Sequence, residues 1–430
     1  MCSPGIVLIF VNIALYAFCF QMQTPVQPKL LRELGVDESA LGQMQAVFGV
    51  FQTLGTLLSG TLMDMYGTRG LLVLNFVSSA VCYGMYYVAP DAWWLYAAQV
   101  PTLLQHGMLA SRTYLSVHAN SDQQRETLLG MTRFAYGAGM MVGPALGGWL
   151  ADSVDLRAPA GLAAVGSLVS CASVVLLDDG TPPGSATRTE AAPSADAKPP
   201  LSVASVLGQM RSAAAKAWAV PALRGVLFIR FVGMLAASLA YRALPIVAKS
   251  QFGMEATGLG AFMSFSAAVG AATQVAVVGG LPAMRSAARR AKAEGKPAPF
   301  WALSDTSVVL TGLVIVFGGF LLLGAATETA QLYVAVAVMV LGPVLVDVIL
   351  SGRIASLATD KGFANSVDMA GGSVLRSIAA PYLSAWLVST FGFASVGHSA
   401  AVLVAVAVAA VLSGAVALES PEPAERPKED

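Results

Sequence analysis

Apolar stretches of about 20 residues recur along this chain from one end to the other, with short polar segments between them. A helix of that length crosses the hydrocarbon core of a bilayer, which is roughly 30 Å thick. The pattern therefore predicts an all-α polytopic membrane protein. Its twelve predicted membrane-spanning helices lie at 5–22, 40–63, 69–89, 92–117, 128–151, 157–177, 224–244, 258–282, 301–324, 330–352, 364–388 and 394–418.

Composition supports lipid as the solvent of this chain. The residues AVILMFWYC make up 56% of the 430 positions, whereas DEKR residues make up 12%. A typical soluble domain is about a quarter charged. The formal net charge of zero gives no indication of nucleic-acid binding. The four cysteines form neither a CxxC motif nor a Cys/His cluster, so no metal site and no cofactor are predicted.

A proline- and serine-rich segment at 178–200 divides the predicted helices into six and six. This composition is typical of a disordered linker. The sequence PALGGWL at 144–150 recurs in the second half as PYLSAWL at 381–387. Such parallel repeats are a transporter architecture, in which one half rocks against the other around a midplane site. The predicted organisation is an N-terminal half at 1–177, a partly disordered cytosolic linker at 178–223, a C-terminal half at 224–418 and a disordered cytosolic tail at 419–430.

Basic residues predict the orientation in the membrane. Lysine and arginine are concentrated in the predicted loops and tails on one side, and four of them fall in loops on the other side: Lys29, Arg32, Arg157 and Lys249. Because cytoplasmic loops carry the excess of basic residues, both termini are predicted to be cytosolic. The plasma membrane and an endolysosomal or vacuolar membrane both remain open.

The loop between the second and third predicted helices has the sequence GTLMDMYGTR at 60–69. Gly60 and Gly67 allow a tight turn and a close approach of helices. Asp64 lies near a helix end and could accept hydrogen bonds from a helix N-terminus of the other half. Arg69 could hold Asp64 or a neighbouring carboxylate. These residues predict a polar latch that stabilises one of two conformations; the alternative is an ordinary tight loop.

The fifth predicted helix contains GAGMMVGPALGGW at 137–149. Gly139, Gly143 and Gly147 recur every fourth residue, and Gly148 follows directly. The resulting smooth face is predicted to pack closely against a helix of the other half. Pro144 is predicted to bend this helix.

These two motifs carry a family resemblance. The chain resembles the major facilitator superfamily, because 60–69 is similar to its signature between helices 2 and 3. The stretch 137–149 is similar to the helix 5 motif of drug–proton antiporters. Within the superfamily the chain looks most like the organic-cation-transporter-like branch of the solute carriers. That resemblance rests on LGQMQAVFGVFQ at 41–52 and on scattered matches that include Leu375-Arg376.

The resemblance implies the superfamily fold of two pseudo-symmetric six-helix bundles. It also implies secondary active transport of small organic solutes, with organic cations and xenobiotics favoured and protons as a candidate coupling ion. Three departures from the family's pattern weaken the predictions of proton antiport and of a polar latch. Met65 and Gly70 stand where basic residues are common, Gln99 stands where an arginine is frequent, and the first helix lacks an acidic residue.

Polar residues inside predicted spans are candidates for the substrate or ion path, because a charge at the bilayer centre costs about 2.5–3.5 kcal/mol. They are Gln23, Gln45, Gln52, His106, Asp347 and Arg376. Asp347 is the first candidate for proton or cation binding, and a static pair with Arg376 is the alternative. His106 shares a predicted helix face with Gln99, Thr102 and Thr113. It could titrate or serve as a hydrogen-bonded packing residue.

Four further arginines in predicted spans are interpreted as snorkelling to the membrane surface: Arg112, Arg133, Arg230 and Arg242. Their number also makes an anionic substrate an alternative. The expected partners are a small solute and the bilayer, and the expected state is a monomer. An organic anion or metabolite carrier working by uniport or symport remains open, as does a transporter-like receptor or scaffold. An enzyme is not expected, because no nucleophile–base set is apparent.

Overall fold

The structure, a computed structural model, describes residues 4–36, 39–119, 122–177, 220–294, 304–357, 371–372, 374–414 and 416. Residues 178–219 of the predicted linker and the predicted tail at 419–430 lie outside this part. The helices are α1 (Pro4–Met22), α2 (Gln27–Glu33), α3 (Ser39–Val88), α4 (Ala92–Ala97), α5 (Gly107–Val117), α6 (Asp122–Ser153), α7 (Ala158–Val174), α8 (Pro221–Ser250), α9 (Ala256–Ala293), α10 (Asp305–Ala325), α11 (Thr329–Leu357), α12 (Ala380–Phe391) and α13 (Ala394–Leu412), with a 3₁₀ helix at Val100–Leu104 and a π-helical turn at Leu375–Ala379.

The helices correspond in order to the predicted spans, and α3 contains two of them. α3 is broken at Gly67, which has φ 70° and ψ 178°. That backbone conformation is open to glycine and strained for other residues. The predicted glycine turn between the second and third spans is therefore present.

The fourth predicted span, 92–117, is wrong as a continuous helix. It consists of α4, the 3₁₀ helix at Val100–Leu104 and α5, with residues 105–106 in non-helical conformation. Pro101 lacks the backbone N–H that a regular helix needs, and Gly107 disfavours helix interiors. Because the helix is interrupted, a spacing of seven residues no longer places Gln99 and His106 on one face.

Seven described segments are long and apolar enough to cross a membrane by themselves: Pro4–Glu33, Met65–Val88, Leu223–Ser250, Ala256–Val277, Asp305–Ala325, Thr329–Ile354 and Ala394–Leu412. Among the remaining predicted spans, α7 is apolar but shorter, whereas the first part of α3 and α6 are more polar. Gln45 and Gln52 of α3 and Arg133 of α6 line cavities. Their polarity is therefore turned toward these cavities.

Each half has its own hydrophobic core. One large cluster joins buried residues of α8 to α13, from Leu223 to Val411 and on to Val416. Two smaller clusters join α1, α3, α5 and α7, and they contain Ile9 and Leu72 among others. The halves also share apolar contacts, because Ile246 of α8 belongs to one of the smaller clusters and a further small cluster joins Val26 and Ala151 to Ala256 of α9.

Two sides of the molecule are distinguished below. The terminal side is where α1 begins and α13 ends. The loop side is the opposite side, where α1 leads into α3, α6 into α7, and α8 into α9. Gly5 lies beside Leu177, and Gly225 beside Val416, on the terminal side of their halves.

Candidate functional site: a cavity between the two halves

A cavity of about 890 Å³ lies between the halves. It is lined from one half by α1, α3, α6 and the segment between α4 and α5, and from the other half by α8 to α11, the π turn and α13. This central cavity lies within the size range of small-molecule sites, roughly 300–1,000 Å³. Five of the six predicted path residues line it: Gln23, Gln45, Gln52, Asp347 and Arg376.

Three arginines and one carboxylate line the central cavity within the described residues. The arginines are Arg230, Arg242 and Arg376, and the carboxylate is Asp347. Positive charge therefore exceeds negative charge by two. The interpretation of Arg230 and Arg242 as snorkelling residues is wrong, because both point into the space between the halves. Which side of α8 faces the cavity depends on how this helix packs against its neighbours, and hydropathy does not report that packing.

Asp347 forms its ion pair with Arg230. The Arg230 Nη1 atom donates to Asp347 Oδ1 at 2.8 Å. The Arg230 side chain is 12% exposed and that of Asp347 is 47% exposed, so the carboxylate faces the cavity more openly. Arg376 instead donates from Nε to the carbonyl oxygen of Gly372 at 3.2 Å. The predicted alternative, a static pair between Asp347 and Arg376, is therefore wrong.

The wall from the first half carries amide and hydroxyl groups. The Gln52 Nε2 atom donates to the carbonyl of Thr102 at 2.8 Å, and Gln99 Nε2 donates to the Tyr86 hydroxyl at 2.6 Å. These bonds hold the interrupted segment between α4 and α5 against α3. Gln99, which stands where the family frequently has an arginine, thus contributes a neutral, hydrogen-bonded part of the wall.

Three buried donors in this wall have no hydrogen-bond partner. They are Gln23 Nε2, Tyr83 Oη and Gln105 Nε2, each on a side chain that lines the central cavity. A buried donor without a partner costs about 1–3 kcal/mol. A ligand rich in hydrogen-bond acceptors would remove that cost.

The cavity also has aromatic walls. The aromatic residues that line it are Tyr16, Phe20, Phe48, Tyr83, Tyr86, Tyr136 and Tyr241. Phe20 and Phe48 pack with ring centroids 5.8 Å apart. Aromatic surface of this kind binds apolar or aromatic parts of a ligand.

His106 does not line the central cavity. A Cβ atom on Gly55 would collide with its Nε2 atom, so the ring is packed tightly against α3. The predicted packing role agrees with this position, although Nε2 has no hydrogen-bond partner. The structure does not bring His106 together with the five path residues that line the central cavity, because the break before α5 turns residue 106 away from residues 99, 102 and 105.

The loop side of the cavity is closed by direct contact between α6 and α9. A Cβ atom on Gly148 would collide with the carbonyl oxygen of Ala256, and one on Gly260 with that of Pro144. The amide of Ala145 donates to Ser264 Oγ at 3.0 Å. Glycine is required at this crossing, because the backbones themselves are in contact.

The smooth glycine face of α6 packs elsewhere than predicted. Added Cβ atoms on Gly139, Gly143 and Gly147 would meet backbone atoms of α1 between Ala14 and Met22. The prediction that this face meets the other half is therefore wrong. Gly148 and Pro144, one helical step around, are the motif residues that contact the other half.

A charged cluster that joins the halves accompanies this closure. Asp152, at the end of α6, accepts from Lys29 Nζ at 2.9 Å through Oδ1 and from the amide of Thr257 at 2.7 Å through Oδ2. Lys29 also lies 3.6 Å from Glu255, which accepts from Lys249 at 3.1 Å. We name these residues and Thr257 the loop-side cluster. The sequence carries no signal for this cluster, because Lys29 and Lys249 lie in loops where a basic residue indicates only the orientation in the membrane.

The carboxylates of this cluster are stabilised in their charged form. Burial raises the pKa of Asp152, but the bonds from Lys29 and Thr257 outweigh burial and hold that pKa below its ordinary value. The Lys249 ammonium lowers the pKa of Glu255 in the same way. Both carboxylates are therefore charged at neutral pH.

The same two helices separate toward the terminal side. A cavity lies between them there, lined by Gly130, Arg133 and Gly137 of α6 and by Gly270 and Gln274 of α9. The described parts of α6 and α9 therefore cross near the loop side and diverge toward the terminal side. At the 60–69 turn, Arg69 donates from Nη2 to the carbonyl of Val175 at 3.0 Å. The side chain of Asp64 and the surroundings of Gly60 lie outside the described part, so the latch stays a prediction.

Two helical bundles that enclose a central cavity, closed at the loop side, define a polytopic membrane protein with two halves. The Major Facilitator Superfamily model matches residues 9–292, more than half of the chain. The chain therefore belongs to this superfamily, which confirms the sequence resemblance. It is an integral multi-pass membrane protein.

Curated relatives include solute carriers and drug-resistance proteins. Human Solute carrier family 67 member A1 is 27% identical over 288 residues, which cover 65% of each chain. Mouse Solute carrier family 22 member 18 is 31% identical over 169 residues, covering 38% of this chain and 41% of the relative. The matched part thus spans less than two thirds of either relative.

A solved structure confirms the predicted fold class. The crystal structure of the human organic anion transporter MFSD10 (TETRAN) covers 95% of this chain and 100% of its own, with a TM-score of 0.63. At 17% identity, this likeness establishes the fold alone.

Proposed function

We propose that this protein is a secondary active transporter of small organic anions with an apolar or aromatic body. The observation that carries the proposal is the charge of the central cavity, in which, among the described residues, three arginines face a single carboxylate. Charges in a low-dielectric site interact far more strongly than in water. An anion is therefore favoured over the organic cation that the sequence resemblance suggested.

The hydrogen-bonding wall supports the same class of substrate. The unpartnered donors of Gln23, Tyr83 and Gln105 require acceptors, and a carboxylate, sulfonate or phosphate supplies several. The aromatic walls suit the remainder of such a molecule. The arginines of the second half and the donors of the first half would then hold one substrate between the two halves.

The proposed mechanism is alternating access by rocking of the halves. The described conformation is closed at the loop side by α6 and α9, and these helices separate toward the terminal side. With both termini in the cytosol, it is the inward-open state. The opposite state requires the α6–α9 crossing and the loop-side cluster to separate.

Protons are proposed to be transported with the anion. Protonation of Asp347 would break its ion pair with Arg230, which lies at 2.8 Å. The released guanidinium would then be available to the substrate. Proton binding and anion binding therefore favour each other, which is the requirement for symport. Antiport would be expected if a cation and a proton competed for the same carboxylate.

Transport in proteoliposomes tests this proposal with matched probes of permanent charge. A naphthalenesulfonate and a trimethylnaphthylammonium share the aromatic body and differ in the sign of charge. We expect the anion to accumulate when the pH gradient drives protons in the same direction. Arg242→Gln should reduce its uptake by about tenfold, the effect of roughly 1.4 kcal/mol, because one charged interaction is removed.

Each other outcome contradicts a specific part of the proposal. Uptake of the cation without the anion would refute the anionic substrate that is proposed from the cavity charge. It would favour Asp347 as a cation site. Anion uptake that ignores every pH gradient would refute proton coupling. Flux of neither probe, nor of a wider panel of metabolites, would favour a transporter-like receptor or scaffold.

A further inference from the structure

A second cavity opens sideways from the central one. It measures about 840 Å³ and lies between α6 and α9 on the part where these helices diverge. The two cavities share six lining residues: Gln21, Met140, Tyr241, Pro245, Met263 and Gln274. The two cavities are therefore adjacent, and only the side chains that line both of them lie between a molecule in the side cavity and the central cavity.

The walls of the side cavity are mainly apolar. Leu129, Phe134 and Met141 of α6 face Phe262 and Met263 of α9 across it. Phe134 and Met141 are exposed and lie seven residues apart, on the same face of the helix. In a membrane protein, such an apolar opening between two helices faces acyl chains.

Two arginines interrupt this apolar lining, Arg112 of α5 and Arg133 of α6. The Arg112 Nε atom is buried without a hydrogen-bond partner. Within the described residues, no ion pair is recorded for either guanidinium. Two positive charges in apolar surroundings are costly without a counter-charge, so this pair of side chains indicates an anionic ligand.

The depth of the arginines matches a lipid-like head group. Arg112 lies five residues before the end of α5, and Arg133 lies five residues inside the predicted span 128–151. At 1.5 Å per residue, both Cα atoms are about 8 Å inside the terminal ends of their spans. From within the acyl region, an arginine side chain can extend toward the membrane surface and bring its guanidinium close to an acidic head group.

We infer that the side cavity admits anionic amphiphiles from the adjacent bilayer leaflet and delivers them to the central cavity. The acidic head would bind Arg112 and Arg133, while the apolar tail would stay between α6 and α9. This inference rests on the proposed function of the central cavity for its second step. The binding step stands on the side cavity alone.

Photolabelling of the full-length protein in neutral-lipid proteoliposomes tests the binding step. The probe is a long-chain fatty acid with a diazirine in its chain, and the control probe is the alcohol of the same chain. We expect the acid to label α6 around 129–141 and α9 around 262–274 at least fivefold more than the alcohol. The Arg112→Gln/Arg133→Gln double variant should abolish that preference.

A matched arginine provides the control variant. Arg224 lies in the first turn of α8 on the terminal side and lines neither cavity. Arg224→Gln should leave the labelling preference unchanged. Equal labelling by acid and alcohol, or labelling spread evenly over the lipid-facing helices, would overturn the inference.

Competition separates a transported ligand from a resident lipid. The naphthalenesulfonate that is carried through the central cavity should reduce labelling by the fatty acid, because the inferred route delivers both molecules to the same adjacent cavity. If an acidic phospholipid blocks the labelling and the naphthalenesulfonate does not, the site holds structural lipid and the delivery route is wrong. Labelling that is specific in a protein without anion flux would refute the proposed function while leaving the binding site intact.

Discussion

Removal of the Asp152 carboxylate should open the loop side of the protein. This side chain connects the halves through Lys29 and through the amide of Thr257, at 2.9 and 2.7 Å. Thr257 is in the first turn of α9, where backbone amides lack partners within the helix. Asp152 therefore acts as a cap supplied by the other half, and the bond exists only while α6 and α9 cross closely.

The expected shift in free energy between the closed and the open loop side follows from these two contacts. The side chains of Lys29 and Asp152 are 36% and 20% exposed, so solvent screening limits their ion pair to about 0–1 kcal/mol. A carboxylate at a helix N-terminus contributes about 0.5–2 kcal/mol. Asp152→Ala should therefore shift the equilibrium by about 1–2 kcal/mol, or roughly 5- to 30-fold. Asp152→Asn should shift it less, because the amide oxygen still accepts from Thr257.

Distances between spin labels report this equilibrium in proteoliposomes. In a background without native cysteines, one pair of labels at Val154 and Gln251 spans the loop side. A second pair at Leu176 and Leu412 spans the terminal side; all four positions are exposed. With Asp152→Ala, long distances should become more populated in the first pair and short ones in the second.

A neighbouring aspartate is the matched control. Asp155 accepts from the amide of Arg157 at 2.8 Å, within the same half. Asp155→Ala should leave both distance distributions unchanged. Two outcomes would refute the role of the cap. One is an Asp152→Ala variant with the same spin-label distances as the unaltered protein, and the other is an Asp152→Ala variant no more open at the loop side than Asp152→Asn.

The sign of the pH dependence is a second check of the same reasoning. The pKa of Asp152 is lowered in this closed state, so its stabilisation is present above its ordinary pKa of about 4. It is lost as the pH falls through the lowered value. Between about pH 5 and 8 the distances set by Asp152 should therefore be constant. A transition near neutral pH would contradict the assignment and point to another titrating group.

Three further outcomes are expected. Gly148→Leu should abolish transport and shift the spin-label distances toward the open loop side, because its side chain would occupy the α6–α9 crossing. The same change at Gly279, which faces open space and lines neither cavity, should retain flux. Asp347→Asn should leave equilibrium binding of the naphthalenesulfonate intact or tighter, since the Asp347 carboxylate no longer neutralises Arg230. The same variant should remove the dependence of naphthalenesulfonate uptake on the pH gradient. His106→Gln should keep the pH profile of uptake, because His106 does not line the central cavity; a displaced profile would restore it as a proton site.

The sequence by itself determined the membrane class, the order of the helices and the family. These properties depend on local information, since an apolar helix satisfies its own backbone hydrogen bonds in lipid. The turn at Gly67 was equally predictable, because its positive φ is favoured by a glycine. The amide and carboxylate candidates were found for a related reason, because polar groups in a span need a cavity or a partner.

The tertiary structure decided which way each side chain faces. Arg230 and Arg242 have the sequence context of snorkelling residues, yet packing of α8 turns them into the central cavity. The break before α5 removes His106 from the same cavity, and the glycine face of α6 is used by α1. Hydropathy determines that a segment spans the membrane. The rotation of that segment about its own axis is set by the neighbouring helices, so the face that it turns inward depends on contacts between segments far apart in the chain.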